Sequence, residues 1–219
     1  GGKPSTAMMT EQVGGGFDGN GELSDSVGGH VDLLLVEART RNEIWLDEKV
    51  FSATSCAVQE GCIDTPGRRT LLRFSVVTAN IGDRDLYFGR PADYEDLFYY
   101  SRCHEHFHFD KYSTYELRSN DGLVARGHKQ AFCLMDTSRY DEDDPTVPEE
   151  AQYNCRNQGI SRGWQDVYGG HLDCQWIDVT DVDPGEYMLS VSIDPERRFN
   201  ELDYSNNSVE VPVMVPPLN

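Results

Sequence analysis

The sequence has little positive charge and no long apolar segment. Its 219 residues include 19 lysines and arginines against 38 aspartates and glutamates, a formal net charge of −19. Such a charge disfavours nucleic acid and anionic membrane surfaces as partners and favours a cationic substrate, although an adaptation for solubility explains it equally well. No apolar run approaches the roughly 20 residues that a membrane-spanning helix needs. We therefore predict neither nucleic acid nor membrane as a partner.

The sequence also lacks the close cysteine pairs that are typical of zinc fingers and thioredoxin-like sites. Its six cysteines are dispersed, at Cys56, Cys62, Cys103, Cys133, Cys155 and Cys174. An even number of cysteines spread through a Gly- and Asp-rich chain favours three disulfides and an oxidising compartment, so we predict a secreted or extracellular protein. Six cysteines allow 15 pairings, and their spacing does not choose among them.

Apolar and polar residues alternate with a period of two over much of the chain, and no long amphipathic helix is evident. Half-buried strands are predicted within Thr70–Asn80, Tyr187–Ile193 and Val209–Val215. Residues 119–122 have turn-forming side chains, so we expect a hairpin whose returning strand covers residues 123–134. The pattern predicts a mostly β fold with a β-sandwich core, long irregular loops and disulfide bracing.

The first 29 residues differ in composition from the rest. They are rich in Gly, Ser, Thr, Asp and Glu and have little periodic apolar pattern. Such a segment cannot bury enough apolar surface to fold, so we predict a flexible arm over residues 1–29. One ordered domain is expected over residues 30–219.

Three of the six histidines, His104, His106 and His108, are spaced two residues apart. On a β-strand they share one face, and neutral imidazoles suit copper, zinc, iron or nickel better than calcium or magnesium. A straight strand would separate the first and third by roughly 13 Å, so binding of one ion requires a curved or irregular strand. The alternative is an exposed histidine-rich strand without an ion. The spacing names neither the metal nor the chemistry.

Four segments in order resemble the catalytic domain of lysyl oxidases. They are CHEHFH at 103–108, GHKQAFCL at 127–134, DCQWIDVTDV at 173–182 and ELDYSNN at 201–207. The resemblance covers about residues 32–211, so residues 30–219 are identified as a lysyl oxidase-like catalytic domain. The given sequence does not include the extra regions of animal relatives, so we expect a compact, microbial-type member.

The resemblance implies a copper-dependent amine oxidase that makes its own quinone. His104, His106 and His108 would bind the copper, and Lys129 and Tyr168 would cross-link to form lysine tyrosylquinone. Primary amines, including peptidyl lysine, would be oxidised by molecular oxygen to aldehydes, with release of hydrogen peroxide and ammonia. The general base stays unassigned among five residues near the motifs, Asp110, His128, Asp166, His171 and Asp173.

The last motif also offers a candidate calcium site. Its clustered oxygen donors are of the hard kind that calcium prefers. The donors are Glu201, Asp203, Asn206 and Asn207. In the family this segment joins an Asp-Leu pair near the start of the domain, which is Asp32-Leu33 here, so a structural calcium ion would tie the first strand to the last loop. The alternative is an Asx-rich turn between two strands.

The resemblance also implies how the cysteines pair. The expected disulfides are Cys56–Cys103, Cys62–Cys174 and Cys133–Cys155. Animal members usually have further cysteines where this chain has Arg139 and Trp164. One whole bridge would then be missing here, with no thiol left unpaired.

Two other functions remain open at this point. One is a copper- or zinc-bound precursor in which Lys129 and Tyr168 stay unlinked and no oxidation occurs. The other is an extracellular β-sandwich binding module, because the segments PGEY, SIDP and DYSNN also resemble adhesion-type domains. That module would explain the last forty residues but neither the histidine strand nor the GHK segment.

Overall fold

Strands form most of the regular structure of this chain. The computed structural model describes residues 29–94, 96–128 and 133–217, so the predicted arm lies almost wholly outside the described residues. Within these ranges there are two short helices, α1 Glu37–Asn42 and α2 Cys56–Gln59, and one 3₁₀ turn, Pro91–Asp93. The strands in chain order are β1 Leu33–Leu35, β2 Ile44–Phe51, β3 Gly67–Phe74, β4 Val76–Asn80, β5 Leu86–Gly89, β6 Phe98–Ser101, β7 His106–Phe109, β8 Ser113–Ser119, β9 Gly122–Arg126, β10 Ser138–Arg139, β11 Gln158–Ile160, β12 Trp164–Tyr168, β13 Trp176–Asp178, β14 Gly185–Ile193 and β15 Ser208–Val215. No helix in the described ranges is both long and apolar enough to cross a membrane.

The last two strands confirm the strand predictions for the C-terminal part of the chain. β14 and β15 pair antiparallel in the sheet β15-β14-β8-β9. Burial alternates along the whole of β15, with Val209, Val211, Val213 and Val215 turned inward. Strict alternation places one face of an antiparallel strand on the core and the other in water.

The predicted hairpin is present, but its second strand is short. β8 and β9 pair antiparallel across the turn at residues 120–121. β9 ends at Arg126, not at Leu134 as predicted, and Gly127 is held by a hydrogen bond from its backbone N–H to the Tyr115 carbonyl (2.9 Å). A Cβ at Gly127 would lie 3.0 Å from the Trp176 carbonyl oxygen, so the chain approaches its neighbours closely here.

The prediction of one half-buried strand over residues 70–80 is wrong in two respects. The segment divides at Ser75 into β3, which pairs with β2 and β13, and β4, which pairs with β1 and β12. Every residue from 70 to 80 is buried, so both faces of the segment are covered. The buried Arg73 is accommodated because its guanidinium donates to the Asp47 carboxylate (2.8 Å) and the Gly170 carbonyl (2.9 Å) and lies over the Trp176 ring.

The main hydrophobic core draws on both four-stranded sheets, β1-β4-β12-β10 and β15-β14-β8-β9. This arrangement is consistent with the predicted sandwich. Phenylalanine rings form its centre near the histidines, with the Phe88 centroid 5.0 Å from that of Phe109 and 5.4 Å from that of Phe199. Phe98 and Phe109 are cross-strand partners in the β6–β7 hairpin, so one face of the histidine strand is fixed to the core.

Three disulfides brace the fold, and the implied pairing is confirmed. They join Cys56 to Cys103, Cys62 to Cys174 and Cys133 to Cys155, and no cysteine is free. Arg139 and Trp164 are directly opposed in the β10–β12 pair. The two positions where animal relatives usually carry further cysteines are therefore neighbours in space.

The buried guanidinium of Arg73 gives a test of the packing. We expect Arg73→Met to lower the free energy of unfolding by roughly 2 kcal/mol, because the buried Gly170 carbonyl and the partly exposed Asp47 carboxylate lose a charged donor. Urea unfolding measures this loss. Arg68→Met is the matched control, since the Arg68–Glu48 pair on the same sheet is exposed and should contribute about 0.5 kcal/mol or less. Equal effects of the two substitutions would contradict the assigned role of Arg73.

Candidate active site

The three histidine rings converge on one point. The Nε2 atoms of His106 and His108 are 3.0 Å apart, and the His104 ring centroid lies 5.1 Å from that of His108. One ring nitrogen from each of the three residues lies within 4.8 Å of the others. Three imidazole nitrogens at this spacing can bind a single transition-metal ion.

A turn before β7 brings His104 to the other two histidines. β7 begins only at His106, and Glu105 has a φ of +59°, in the left-handed region. Ser101 closes the turn twice: its carbonyl accepts the Glu105 N–H (2.9 Å) and its hydroxyl oxygen accepts the His104 N–H (3.1 Å). The disulfide Cys56–Cys103 anchors the same turn. The strand is thus irregular where a shared ion requires it to be.

Burial keeps the rings of His106 and His108 neutral. It lowers the pKa of His108 to about 3, with smaller contributions from His106 and His104. The pKa of His106 is lowered as well, first by burial and then by His104. Neutral imidazole is the form that binds metal. The Tyr99 hydroxyl lies 3.4 Å from His108 Nδ1, and burial raises the pKa of Tyr99 to about 12, so this phenol stays protonated.

Tyr168 forms a buried pair with Asp166. Both lie on the inward face of β12, and the Tyr168 hydroxyl donates to Asp166 Oδ2 (2.6 Å). The carboxylate also accepts the Met135 N–H and the Thr137 hydroxyl, each at 3.2 Å. Burial raises the pKa of Asp166 to about 7, against the effect of these donors, and holds the pKa of Tyr168 well above its ordinary value. Tyr168 is therefore a phenol at neutral pH, with a proton acceptor already in contact.

Cys133 connects the tyrosine to the histidines. Its carbonyl oxygen lies 3.5 Å from the Tyr168 hydroxyl, and the sulfurs of Cys133 and Cys155 lie within 4.8 Å of a His106 ring nitrogen. Gln158, fully buried, strengthens the link because it donates to the Phe107 carbonyl (2.9 Å). Its Oε1 accepts the backbone N–H of the residue after Cys133 (3.0 Å).

Lys129, the other expected cofactor precursor, lies outside the described residues. Its described neighbours in sequence are His128 and Cys133. His128 lies against Gly61, where a Cβ would be 3.4 Å from His128 Cε1.

The five candidate bases differ in their burial and in the groups that they contact. Asp166 is the one whose carboxylate binds the Tyr168 hydroxyl. Asp173 is exposed and pairs with Lys49 (3.0 Å), and His171 is exposed beside Gly169. Asp110 and His128 are half-buried. The sequence could have indicated Asp166, because it lies two residues before Tyr168 and residues two apart on a strand share a face.

Five of the six candidate calcium ligands come together from the two ends of the domain, and Asp203 is the exception. The Leu33 N–H donates to the Glu201 carboxylate (2.8 Å), and the Asn206 amide donates to the Asp32 carboxylate (2.8 Å). The Asn207 amide donates to Glu201 (2.8 Å). Burial raises the pKa of Glu201 to about 7. Asp203 is exposed, and its carboxylate accepts the backbone N–H two residues further on (2.7 Å).

Two buried oxygens at this junction have no hydrogen-bond partner. They are the side-chain carbonyl oxygens of Asn206 and Asn207. Buried acceptors are almost always satisfied, and amide and carboxylate oxygens are the donors that calcium prefers. The junction therefore fits a hard cation.

The described chain thus combines a mostly β fold, a three-histidine cluster that can hold a transition metal, and a buried tyrosine–aspartate pair beside it. The family model described as Lysyl oxidase matches residues 31–215. The chain is 37% identical over 189 residues to lysyl oxidase homolog 2 of Mus musculus, which covers 80% of this chain and 23% of the relative. It is 37% identical over 206 residues to lysyl oxidase homolog 2A of Danio rerio (89% and 26%), and 35% identical over 192 residues to lysyl oxidase homolog 3 of Homo sapiens (82% and 24%).

The chain belongs to the lysyl oxidase family. It spans about a quarter of the length of the relatives named above.

The Asp166 carboxyl gives a pH-dependent prediction. Its folded-state pKa of about 7 lies above the ordinary value of 3.8, so the folded chain holds the Asp166 proton more tightly than the unfolded chain does. The stability that this protonation provides is complete below about pH 4 and is lost as the pH rises through 7. We expect the stability of the wild type relative to Asp166→Asn to fall over this interval, by at most about 4 kcal/mol. Urea unfolding from pH 4 to 8 measures the difference.

The exposed Asp173 provides the control for this measurement. The variant Asp173→Asn should leave the pH profile unchanged, because the carboxylate is exposed in the folded chain. Parallel stability curves for wild type and Asp166→Asn would show that Asp166 titrates alike in the folded and unfolded chains.

Proposed function

We propose that this chain is the catalytic domain of a copper-dependent amine oxidase that uses a lysine tyrosylquinone derived from Lys129 and Tyr168. One primary amine, one oxygen and one water would give one aldehyde, one ammonia and one hydrogen peroxide. The observation that carries the proposal is the link between the histidine cluster and Tyr168 through Cys133 in a member of the lysyl oxidase family.

The donor set fits copper. His104, His106 and His108 offer three imidazole nitrogens, which bind copper more tightly than zinc, and hard cations poorly. When bound, copper would supply the one-electron chemistry with oxygen that no amino-acid side chain provides.

Asp166 would orient the Tyr168 ring and accept its phenolic proton when the ring is oxidised. Its carboxylate fixes the ring through a short hydrogen bond and stands ready to hold the phenolic proton. Of the five bases considered, Asp166 is the one we propose, because it contacts the hydroxyl and has a pKa near neutrality. Burial on the inward face of β12 also keeps bulk water from this atom.

Lys129 is close in sequence to Cys133, whose carbonyl contacts the Tyr168 hydroxyl. It precedes Cys133 by four residues, and four residues span at most about 14 Å. The Cys133 carbonyl lies 3.5 Å from the Tyr168 hydroxyl, so this short tether limits how far Lys129 can be from the ring. Its amine would react in the neutral form, which a desolvated position or a nearby cation favours.

The expected substrate is a primary amine that is cationic in solution, such as lysine in a protein. A net charge of −19 attracts such a substrate over a range set by salt. Molecular oxygen would be the second substrate. Three disulfides fit an extracellular or otherwise oxidising compartment.

A peptide mass map after incubation with copper in air tests the function. We expect a cross-linked Lys129–Tyr168 peptide in the wild type and its absence in Tyr168→Phe and His106→Ala. Tyr112→Phe is the matched control, because Tyr112 is an equally buried tyrosine whose ring lies 6.2 Å from that of Tyr168.

Unmodified Lys129 and Tyr168 in copper-loaded wild type would contradict the quinone proposal. The chain would then be the metal-bound, unprocessed protein, which could hold zinc as well as copper. Loss of the cross-link in Tyr112→Phe but not in Tyr168→Phe would show that the wrong tyrosine was chosen.

The same proposal includes a structural calcium ion at Asp32, Leu33, Glu201, Asp203, Asn206 and Asn207. We expect calcium to raise the melting temperature, since an ion that binds only the folded chain stabilises it by about 2.7 kcal/mol at 100 times its dissociation constant. Glu201→Gln should remove this shift. Glu210→Gln, on the exposed face of β15, should retain it. An equal shift in Glu201→Gln would exclude Glu201 as a ligand.

A further inference from the structure

Glu60 is an acidic residue beside the histidine cluster that no sequence motif singled out. It follows α2, between Cys56 and Cys62, and two disulfides hold this segment against the rest of the domain. The side chain is only 19% exposed. A carboxylate placed this deeply needs partners.

Both carboxylate oxygens of Glu60 face the turn that carries His104. Oε2 lies 3.6 Å from His104 Nε2, and Oε1 accepts a hydrogen bond from the Ser101 hydroxyl. That hydroxyl oxygen in turn accepts the His104 backbone N–H (3.1 Å). Glu60 therefore acts on His104 twice, directly at the ring and through Ser101 at the backbone.

The charge of Glu60 reaches the rest of the cluster as well. Burial is the largest cause of the raised pKa of Tyr99, and the charge of Glu60 is the second. Tyr99 contacts the far nitrogen of His108. Glu60 thus lies where its negative charge can offset part of the charge of a divalent ion held by the three histidines.

We propose that Glu60 is a positioning residue of the metal centre, which orients His104 and fixes the Ser101–Glu105 turn that brings this histidine to His106 and His108. The inference rests on the proposed function, because it presumes that the three histidines bind a metal. Carboxylates close to metal-binding histidines commonly orient the rings, and loss of such a partner weakens metal affinity about 10- to 100-fold.

The experiment measures Cu²⁺ binding to the full, metal-free chain without oxygen, so that no self-processing follows. Competition with a chromophoric chelator gives the dissociation constant, and the electron paramagnetic resonance spectrum reports the ligand geometry. We expect Glu60→Gln to bind about tenfold more weakly than wild type and to show a changed copper spectrum. Its amide oxygen can still accept from Ser101, so the metal-free melting temperature should hardly change.

Glu105→Gln is the matched control, because it removes an equal charge near the histidines from a side chain that points to solvent. It should bind copper as the wild type does. Wild-type affinity and spectrum in Glu60→Gln would overturn the proposal. If Glu60→Gln does not fold, Ser101→Ala decides: it should weaken binding and change the spectrum in the same direction, and no change in either would overturn the proposal.

Failure of the metal centre itself would look different. Wild type that binds no copper, or His104→Ala that binds it as tightly as wild type, would show that the histidines form no site. That result rejects the proposed function and the role of Glu60 together. Normal wild-type binding with an unaffected Glu60→Gln rejects the role of Glu60 alone.

Discussion

The site depends on the packing of one short hairpin against the phenylalanine cluster. Phe98 and Phe109 oppose each other across β6 and β7, and their rings fill the core. Because side chains alternate on a strand, this contact fixes His106 and His108 on the other face. Without it β7 could twist freely, and neither the closing turn at Glu105 nor the link through Cys133 would bring the reacting groups together.

Much of the fold could be predicted because its signals are local. The alternation along β14 and β15 and the turn residues after β8 each lie within a few positions of one another. The division at Ser75 was not predictable in the same way. β3 and β4 belong to different sheets, and burial on both faces depends on distant partners such as Asp47 and Gly170, which hold the Arg73 guanidinium.

In the candidate site, too, the features set by neighbouring residues could be predicted, and those set by residues far apart in the sequence could not. The histidine spacing and the need for an irregular strand could be read from one segment. Asp166 could have been selected through its two-residue distance from Tyr168, which the structure shows to be a direct contact. Glu60 could not, because it lies 41 positions before its partner Ser101, and only the assembled disulfides bring the two together.

The disulfide Cys133–Cys155 has a consequence for the order of assembly. It lies between the ring of His106 and the hydroxyl of Tyr168, in the part of the chain that follows Lys129. A chain that met copper while these thiols were still reduced would offer the ion soft sulfur ligands beside His106. We therefore expect closure of this bridge to favour metal loading at the three histidines.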